Sequence, residues 1–505
     1  MPGIPYNPIR RMVAALCSLL FIAVAPYSQA GPWINPGDET LRHHIQVLAD
    51  SGIITVPITT WPLMWSGIKN DISQPDFSEL TAAQAYSLRY VRFALRRDTD
   101  HTLRLTWRGD LREHPHLFTD FADSQRDQSE TSLTADWMGS NLTGRIKVSY
   151  TDDINNDSNY KLDGSYLGFV WGNWALTAGE LERWWGPGWQ NSLILGTNAR
   201  PAPGLSLQRN RSDAFETPWL SWIGPWHLET FMSRLEDDRY VNNALLWGLR
   251  ITFKPVAALE VGLTRTALWG GDNRPHNSST FRNLLLGRDN RGDDDIDESN
   301  EPGNQLGGID WRLSSTFFGN TGLGFYGQVI GEDESGGTPS RAIAMVGADA
   351  SIIDRTWHHR FYLEAADTTV EGFKGDSKAR PNSAYEHSIY QSGYRYRNRT
   401  IGAATDNDTR ILTFAHDFFM GDDRQFSWSI SHLELNRDGT DKSPPGGNPI
   451  SFEERTDLWI ADARYSILLN SVQVTVGLDY QSEELRYAGE RIDGTRGYFA
   501  WEARW

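Results

Sequence analysis

From Leu103 to the C-terminus, apolar side chains recur at every second position. Ile146, Val148 and Tyr150 alternate with Lys147 and Ser149, and Leu245, Trp247, Leu249, Ile251 and Phe253 form a second row. Val472, Val474, Val476, Leu478 and Tyr480 form a third, separated by Gln473, Thr475, Gly477 and Asp479. Period two places one row on each face of an extended chain and predicts β-strands. Upstream the period is helical. Asp38 can cap a helix carrying Leu41, Ile45 and Leu48 on one face, which Ser51-Gly52 can end. Trp61-Pro62 can open a second helix, and a third runs from about Leu80 to Arg97 with Leu88, Val91 and Leu95 at helical spacing. The division expected is a small helical domain over 31–100 and a β-domain over 101–505.

Alternation alone also fits a soluble sandwich. The connections carry more information, because short and long ones take turns. Short links fall at Met138-Gly139-Ser140-Asn141, Gly172-Asn173, Lys254-Pro255 and Leu469-Asn470-Ser471. Long polar links run from about Trp269 to Asn304, Ala366 to Thr405 and Asn436 to Thr456. Barrels of the bacterial outer membrane show this asymmetry, with short periplasmic turns and long outer loops. About eighteen strands fit with that parity kept, even counts being usual for such barrels. The weakest stretches lie around Arg200 to Ile223 and Tyr390 to Thr413. The last strand sets Phe499, Trp501, Ala503 and Trp505 on one face, and a terminal aromatic there resembles the assembly signal of outer-membrane barrels. The expected fold is mainly β: a transmembrane antiparallel β-barrel with a small N-terminal helical bundle on the periplasmic side. Its outward apolar rows would face outer-membrane lipids and lipopolysaccharide.

The N-terminus agrees with export. Arg10 and Arg11 precede an apolar run from Met12 to Ala25, and Ser28-Gln29-Ala30 supplies small residues before Gly31. This pattern predicts a secretory signal peptide over 1–30. The single cysteine, Cys17, lies inside that run, so a disulfide framework and a multi-cysteine metal site are excluded. With 65 acidic against 48 basic residues the formal net charge is −17, which argues against nucleic acid as a partner.

Five features bear on chemistry. Trp184, Trp185 and Trp189 flank Gly186-Pro187-Gly188 in a loop that the parity places outside. Their rings could stack on sugars, with Gln190 and Asn191 bonding hydroxyls. The alternatives are an interfacial aromatic girdle or an inward-folded constriction loop. Arg395, Arg397 and Arg399 sit at period two; if extended, they put three guanidinium groups on one face, suited to carboxylates or phosphates. A lumen-facing ladder paired with acids is the plainer alternative. The acidic run Asp289–Glu301 fails the register of a calcium loop and fits a solvated outer loop. The adjacent pairs His43-His44 and His358-His359 point apart on regular elements, so no metal site is expected from them. Gly322-Leu-Gly-Phe-Tyr-Gly327 matches a dinucleotide glycine pattern but sits in a strand pattern with no helix following. No motif calls for a cofactor or for catalysis.

The chain resembles the capsule assembly Wzi family of outer-membrane proteins. The resemblance rests on Trp33-Ile-Asn-Pro-Gly-Asp38, Leu48-Ala-Asp-Ser-Gly-Ile-Ile54 and Glu180-Leu-Glu-Arg-Trp-Trp-Gly-Pro-Gly-Trp189. Asn198-Ala-Arg-Pro201 and Asn304-Gln-Leu-Gly-Gly-Ile-Asp310 also carry it. It implies a barrel with a periplasmic helical bundle that attaches capsular or extracellular polysaccharide to the cell surface, in a lectin-like rather than enzymatic way. The polysaccharide contacts expected are Trp184, Trp185, Trp189, Gln190, Arg395, Arg397 and Arg399. A porin-like channel for sugars or ions is the alternative, and a barrel enzyme acting on lipids or glycans a third. The helical bundle would either plug the barrel or recruit periplasmic export partners.

Overall fold

The computed structural model describes residues 33–99, 103–122, 125–152, 158–285, 303–318, 322–332, 341–354, 357–372, 381–421, 423–442, 447–451 and 453–505. The expected signal peptide over 1–30 and the acidic run Asp289–Glu301 lie outside them.

Eighteen antiparallel strands, from Arg104–Arg112 to Glu490–Arg504, form a closed barrel. One strand comes in two pieces, since Tyr160–Lys161 and Tyr166–Trp171 both pair with Leu142–Thr151. Closure runs through the pairing of the last strand with the first, in register Trp501↔Gly109. There the Trp501 ring lies over Gly109, where any Cβ would collide with it. Glycine leaves the space that a large ring needs at that seam.

The alternation read from the sequence becomes an inside and an outside. Leu133, Ile146, Val148, Leu176, Leu363, Val476 and Leu478 are exposed on the outer wall, with Trp107, Phe169 and Phe499 among the aromatics. Their wall partners Ser132, Ser149, Thr177 and Glu364 are buried in the interior. An apolar exterior around a polar interior is the arrangement a bilayer requires of a barrel. Tight links at 139–141, 172–173 and 257–258 mark one end of the barrel, and the long loops leave from the other.

The helices are α1 (Glu39–Asp50), α2 (Trp65–Ser73), α3 (Ala82–Thr99) and, in an outer loop, α4 (Ser278–Leu285). As expected, the Asp38 carboxylate caps α1 by accepting from the Leu41 amide at 2.9 Å. The second helix begins later than expected. Trp61-Pro62 belongs to extended chain with a cis peptide bond, and Thr60–Trp61 pairs with Trp184–Trp185. Burial of α1 is not confined to its apolar stripe: Glu39, Arg42, His43, His44, Gln46 and Asp50 are buried with Leu41, Ile45 and Leu48. The cause is location. The polar face of α1 meets the polar inner wall, where Glu39 pairs with Arg464 at 2.7 Å and Asp50 with Arg312 at 3.2 Å. Behind it, the Glu260 carboxylate accepts the Ile58 and Thr59 amides at 3.0 and 2.8 Å. The helical segment is therefore seated in the barrel at the end of the tight turns.

Candidate functional site at the barrel mouth

The loop between Trp174–Gly179 and Gly204–Arg209 leaves from the long-loop end and turns into the lumen. Several wall groups hold its descent, foremost one carboxylate. Glu364 accepts the backbone N–H groups of Trp189 at 2.9 Å and Asn191 at 2.7 Å. It also accepts Asn191 Nδ2 at 3.0 Å and the Tyr326 hydroxyl at 3.1 Å. Gln328 accepts the Leu193 amide at 2.7 Å and donates to the Trp185 carbonyl at 2.9 Å. A loop inside a barrel needs such partners, because a buried amide without an acceptor is costly.

The aromatic residues expected to stack on sugars are inside this arrangement. Trp184, Trp185 and Trp189 are 2%, 0% and 2% exposed, and Gln190 is buried with them. Every indole N–H is already used: Trp184 donates to the Gly188 carbonyl, Trp185 to Glu229 and Trp189 to Asp349, each at 3.1 Å. Arg42 of α1 donates to the Pro187 and Gly188 carbonyls at 2.9 and 2.8 Å. Its guanidinium lies between the rings of Phe121 and Trp189, 4.1 and 4.0 Å from their centroids. The loop thus meets the helical segment in mid-lumen, and the inward-folded alternative is the one observed.

The arginine row is not a row. Arg395–Tyr396 and Arg399–Thr400 form a two-stranded hairpin whose turn is Arg397-Asn398, both with positive φ, 51° and 62°. A two-residue turn of that hand matches the twist of the flanking strands. It gives the three side chains different surroundings. Arg395 is buried between Asp406 and Glu386, each at 2.6 Å. Arg399 donates to the His116 and Arg126 carbonyls at 3.0 and 2.9 Å and to Asn198 Oδ1 at 3.2 Å. Arg397 stands half-exposed at the tip, 5.4 Å from the Tyr396 ring centroid. The expectation of one guanidinium face fails because the chain reverses in the middle of the motif.

The hairpin is part of a second inward segment. Tyr385 and Tyr394 donate their hydroxyls to the Leu193 and Ile194 carbonyls at 2.7 and 2.9 Å. Among the described residues, two shallow clefts lie beside it. One, of about 40 Å³, is lined by Glu182, Arg183, Arg200, Phe231 and Tyr396 among others. Near its rim Glu180 is pushed up to about 7, by burial first and then by the Asp163 carboxylate. The other cleft is lined by Asn198, Asn398, Arg399 and Tyr487. Here the Tyr487 hydroxyl is buried without a hydrogen-bond partner among the described residues, while Arg399 lies 5.4 Å from its ring centroid. No local pattern marks Tyr487, which reads in the sequence as one more aromatic near a strand end. The pair at 397–398 did carry a signal, since Asn is favoured in such turns.

The histidines also depart from expectation. His43, His44 and His358 converge, one ring nitrogen of each lying within 4.8 Å of the others. Their pairing speaks for a relay. Arg360 Nε donates to His43 Nδ1 at 3.0 Å, which leaves the proton of a neutral His43 on Nε2, 3.2 Å from His358 Nδ1. Burial, with Arg360 close by, holds His43 and His44 well below the ordinary histidine range, so both are neutral at pH 7. Nitrogens that already share a proton in this way are not a preformed metal ligand set.

Known proteins share this architecture. The family model for capsule assembly protein Wzi matches residues 109–488. An uncharacterized 55.8 kDa protein in the cps region of Klebsiella pneumoniae is 32% identical over 378 residues, 71% of this chain and 69% of that protein. Among solved structures, Escherichia coli Wzi is described as an outer-membrane protein involved in group 1 capsule assembly and as a carbohydrate-binding β-barrel. It matches with a TM-score of 0.80 at 25% identity, over 93% of this chain and 99% of that one. With a closed eighteen-strand barrel, an inward loop carrying the Glu180–Trp189 motif and this match over most of its strands, the chain belongs to the capsule assembly Wzi family of outer-membrane proteins.

Proposed function

We propose that the protein holds capsular or extracellular polysaccharide at the cell surface by non-covalent, lectin-like contact across the barrel mouth. The observation that carries this is the Tyr487 hydroxyl, a buried donor without a partner among the described residues, beside Asn198, Asn398 and Arg399 in a cleft of the mouth. Sugar hydroxyls are the complement that such a group lacks. Among the described residues neither of these clefts approaches the roughly 300 Å³ that encloses a small ligand, so a glycan lying over the mouth reaches the Tyr487 hydroxyl, which is closed to solvent, only where the rim of its cleft opens. Of the candidates named from sequence, Arg397 reaches the glycan, whereas Trp184, Trp185, Trp189, Gln190, Arg395 and Arg399 shape the floor beneath it.

A conducting channel is less well supported, because the inward loop and the helical segment occupy the lumen from both ends. In this proposal the helices face the periplasm, where they seal the barrel and are within reach of export partners, and the outer wall contacts phospholipid and lipopolysaccharide. The test is binding of the detergent-folded barrel to polysaccharide extracted from its own host. Saturable binding with chain length unchanged is expected. No binding, or shortening of the chains, overturns the proposal.

A further inference from the structure

The outer wall carries a hydrogen-bonded histidine chain in a place where a barrel ordinarily shows only apolar rings. His359 on Trp357–Gly372, His416 on Arg410–Met420 and Trp428 on Arg424–Leu435 occupy neighbouring strands. The registers Phe361↔His416 and His416↔Trp428 bring them side by side. Trp428 Nε1 donates to His416 Nδ1 at 3.1 Å, and His416 Nε2 lies 3.0 Å from His359 Nδ1. The rings are held flat: His359 stacks on Phe418 at 4.4 Å and His416 on Phe361 at 4.2 Å.

The direction of this chain follows from hydrogen counting. An indole N–H can only donate, so His416 Nδ1 is an acceptor and its proton sits on Nε2. That proton is given to His359 Nδ1. His359 is then an acceptor at Nδ1 as well, and its own proton is on Nε2. The result is a one-way relay that ends in an N–H donor on the lipid side of the wall. Among the described residues nothing accepts from it, and His359 is only half-buried.

Depth identifies the acceptor. His359 is two residues from Trp357, which opens its strand at the tight-turn end and is 56% exposed. At about 3.3 Å per residue and about 40° of tilt, His359 lies about 5 Å farther into the membrane than Trp357. Exposed tryptophan marks the headgroup level, and tight turns mark the periplasmic end. We propose that His359, positioned by His416 and Trp428, donates a hydrogen bond to the headgroup of an inner-leaflet glycerophospholipid, forming a specific lipid site on the outer wall.

The test uses the full-length barrel with nitrogen-labelled histidine in nanodiscs of phosphatidylethanolamine. Solid-state NMR is expected to show His359 protonated at Nε2 and dipolar-coupled to lipid phosphorus. Trp428→Phe frees His416 to move its proton to Nδ1, so the His359 coupling to phosphorus is expected to weaken. His359→Phe keeps the stack without the donor, and native mass spectrometry is expected to find one tightly held phospholipid fewer on it than on the parent protein. A His359 protonated at Nδ1, no coupling to phosphorus in the parent protein, or equal lipid retention by His359→Phe would each overturn the proposal. Heat-modifiable mobility on gels confirms that the variant barrels are folded.

Discussion

The Glu364 carboxylate and the Asn191 backbone amide, 173 positions apart in sequence, meet at 2.7 Å in the centre of the barrel. Because the Trp189 amide and the Asn191 side chain share that carboxylate, Glu364 is the point at which the wall holds the inward loop. Replacing it with alanine leaves several buried donors without an acceptor, at about 1–3 kcal/mol each. Glu364→Ala is expected to lose about 3 kcal/mol or more and to expose the segment around Trp189 to protease in an otherwise folded barrel. Glu364→Gln keeps one acceptor oxygen and is expected to fall between the two. Limited proteolysis with mass mapping checks this, and a resistant loop in Glu364→Ala would assign the anchoring to Gln328 and Arg42 instead.

The strands were legible because a membrane wall forces period two and a parity of connections. Both are local properties, as is the Asp38 cap of α1. What happens inside the barrel was not legible. Nothing near Trp184 says that its loop turns inward, because the groups that draw it in, Glu229, Gln328, Asp349 and Glu364, are scattered over four wall strands. His43 and His358 converge only once α1 is seated in the lumen, so a rule about neighbours on one element could not anticipate them. The arginine motif differs for the opposite reason: the turn at Arg397-Asn398 is local, but the period-two spacing of the arginines on either side of it mimics a continuous strand.

The helical segment should be held by charge as well as by shape. Glu39 of α1 receives Arg464 at 2.7 Å and Gln425 at 2.6 Å on the wall. Reversing either charge alone leaves a buried charge facing its like, which is strongly unfavourable. Glu39→Arg and Arg464→Glu are each expected to loosen the segment and raise ion conductance in planar bilayers. The double variant should recover most of the seal, with a coupling of about 1–3 kcal/mol between the sites. Additive effects of the two changes would show that the pair does not act as a latch.

Acidity should act on the descent of the inward loop through Glu180. Burial and the Asp163 carboxylate raise this group from 4.5 to about 7, so the folded loop holds the proton more tightly than the unfolded chain. The stabilisation is then complete below about pH 4.5 and is lost as pH rises toward 7. Protection of the loop in hydrogen exchange is expected to fall between pH 5 and pH 7.5, by a modest amount because Glu180 is partly exposed. Glu180→Gln, which cannot ionise, should flatten that dependence and keep the loop protected at the higher pH. An unchanged profile in Glu180→Gln would assign the pH response to another group.

At the mouth, two arginines two residues apart should behave as opposites. Arg395 is closed between Asp406 and Glu386, so Arg395→Gln strands two buried carboxylates and is expected to destabilise the hairpin by about 3 kcal/mol or more. Arg397 is half-exposed at the turn, over the Tyr396 ring, and Arg397→Gln should cost less stability than Arg395→Gln. If the host glycan is acidic, Arg397→Gln should weaken binding and reduce its dependence on salt, because exposed charge pairs are screened. Tyr487→Phe removes a hydroxyl that has no partner among the described residues, so the fold has little to lose. A sugar hydroxyl bonded there would be worth about 0.5–1.5 kcal/mol, which predicts a roughly 2- to 13-fold weaker affinity. Isothermal titration of the folded barrels with host polysaccharide measures both effects beside thermal stability. Weaker binding by Arg397→Gln and Tyr487→Phe at unchanged melting temperature would place the glycan across this cleft. Unaltered affinity in both would move it to the other cleft, where Glu182, Arg200 and Tyr396 become the next residues to replace.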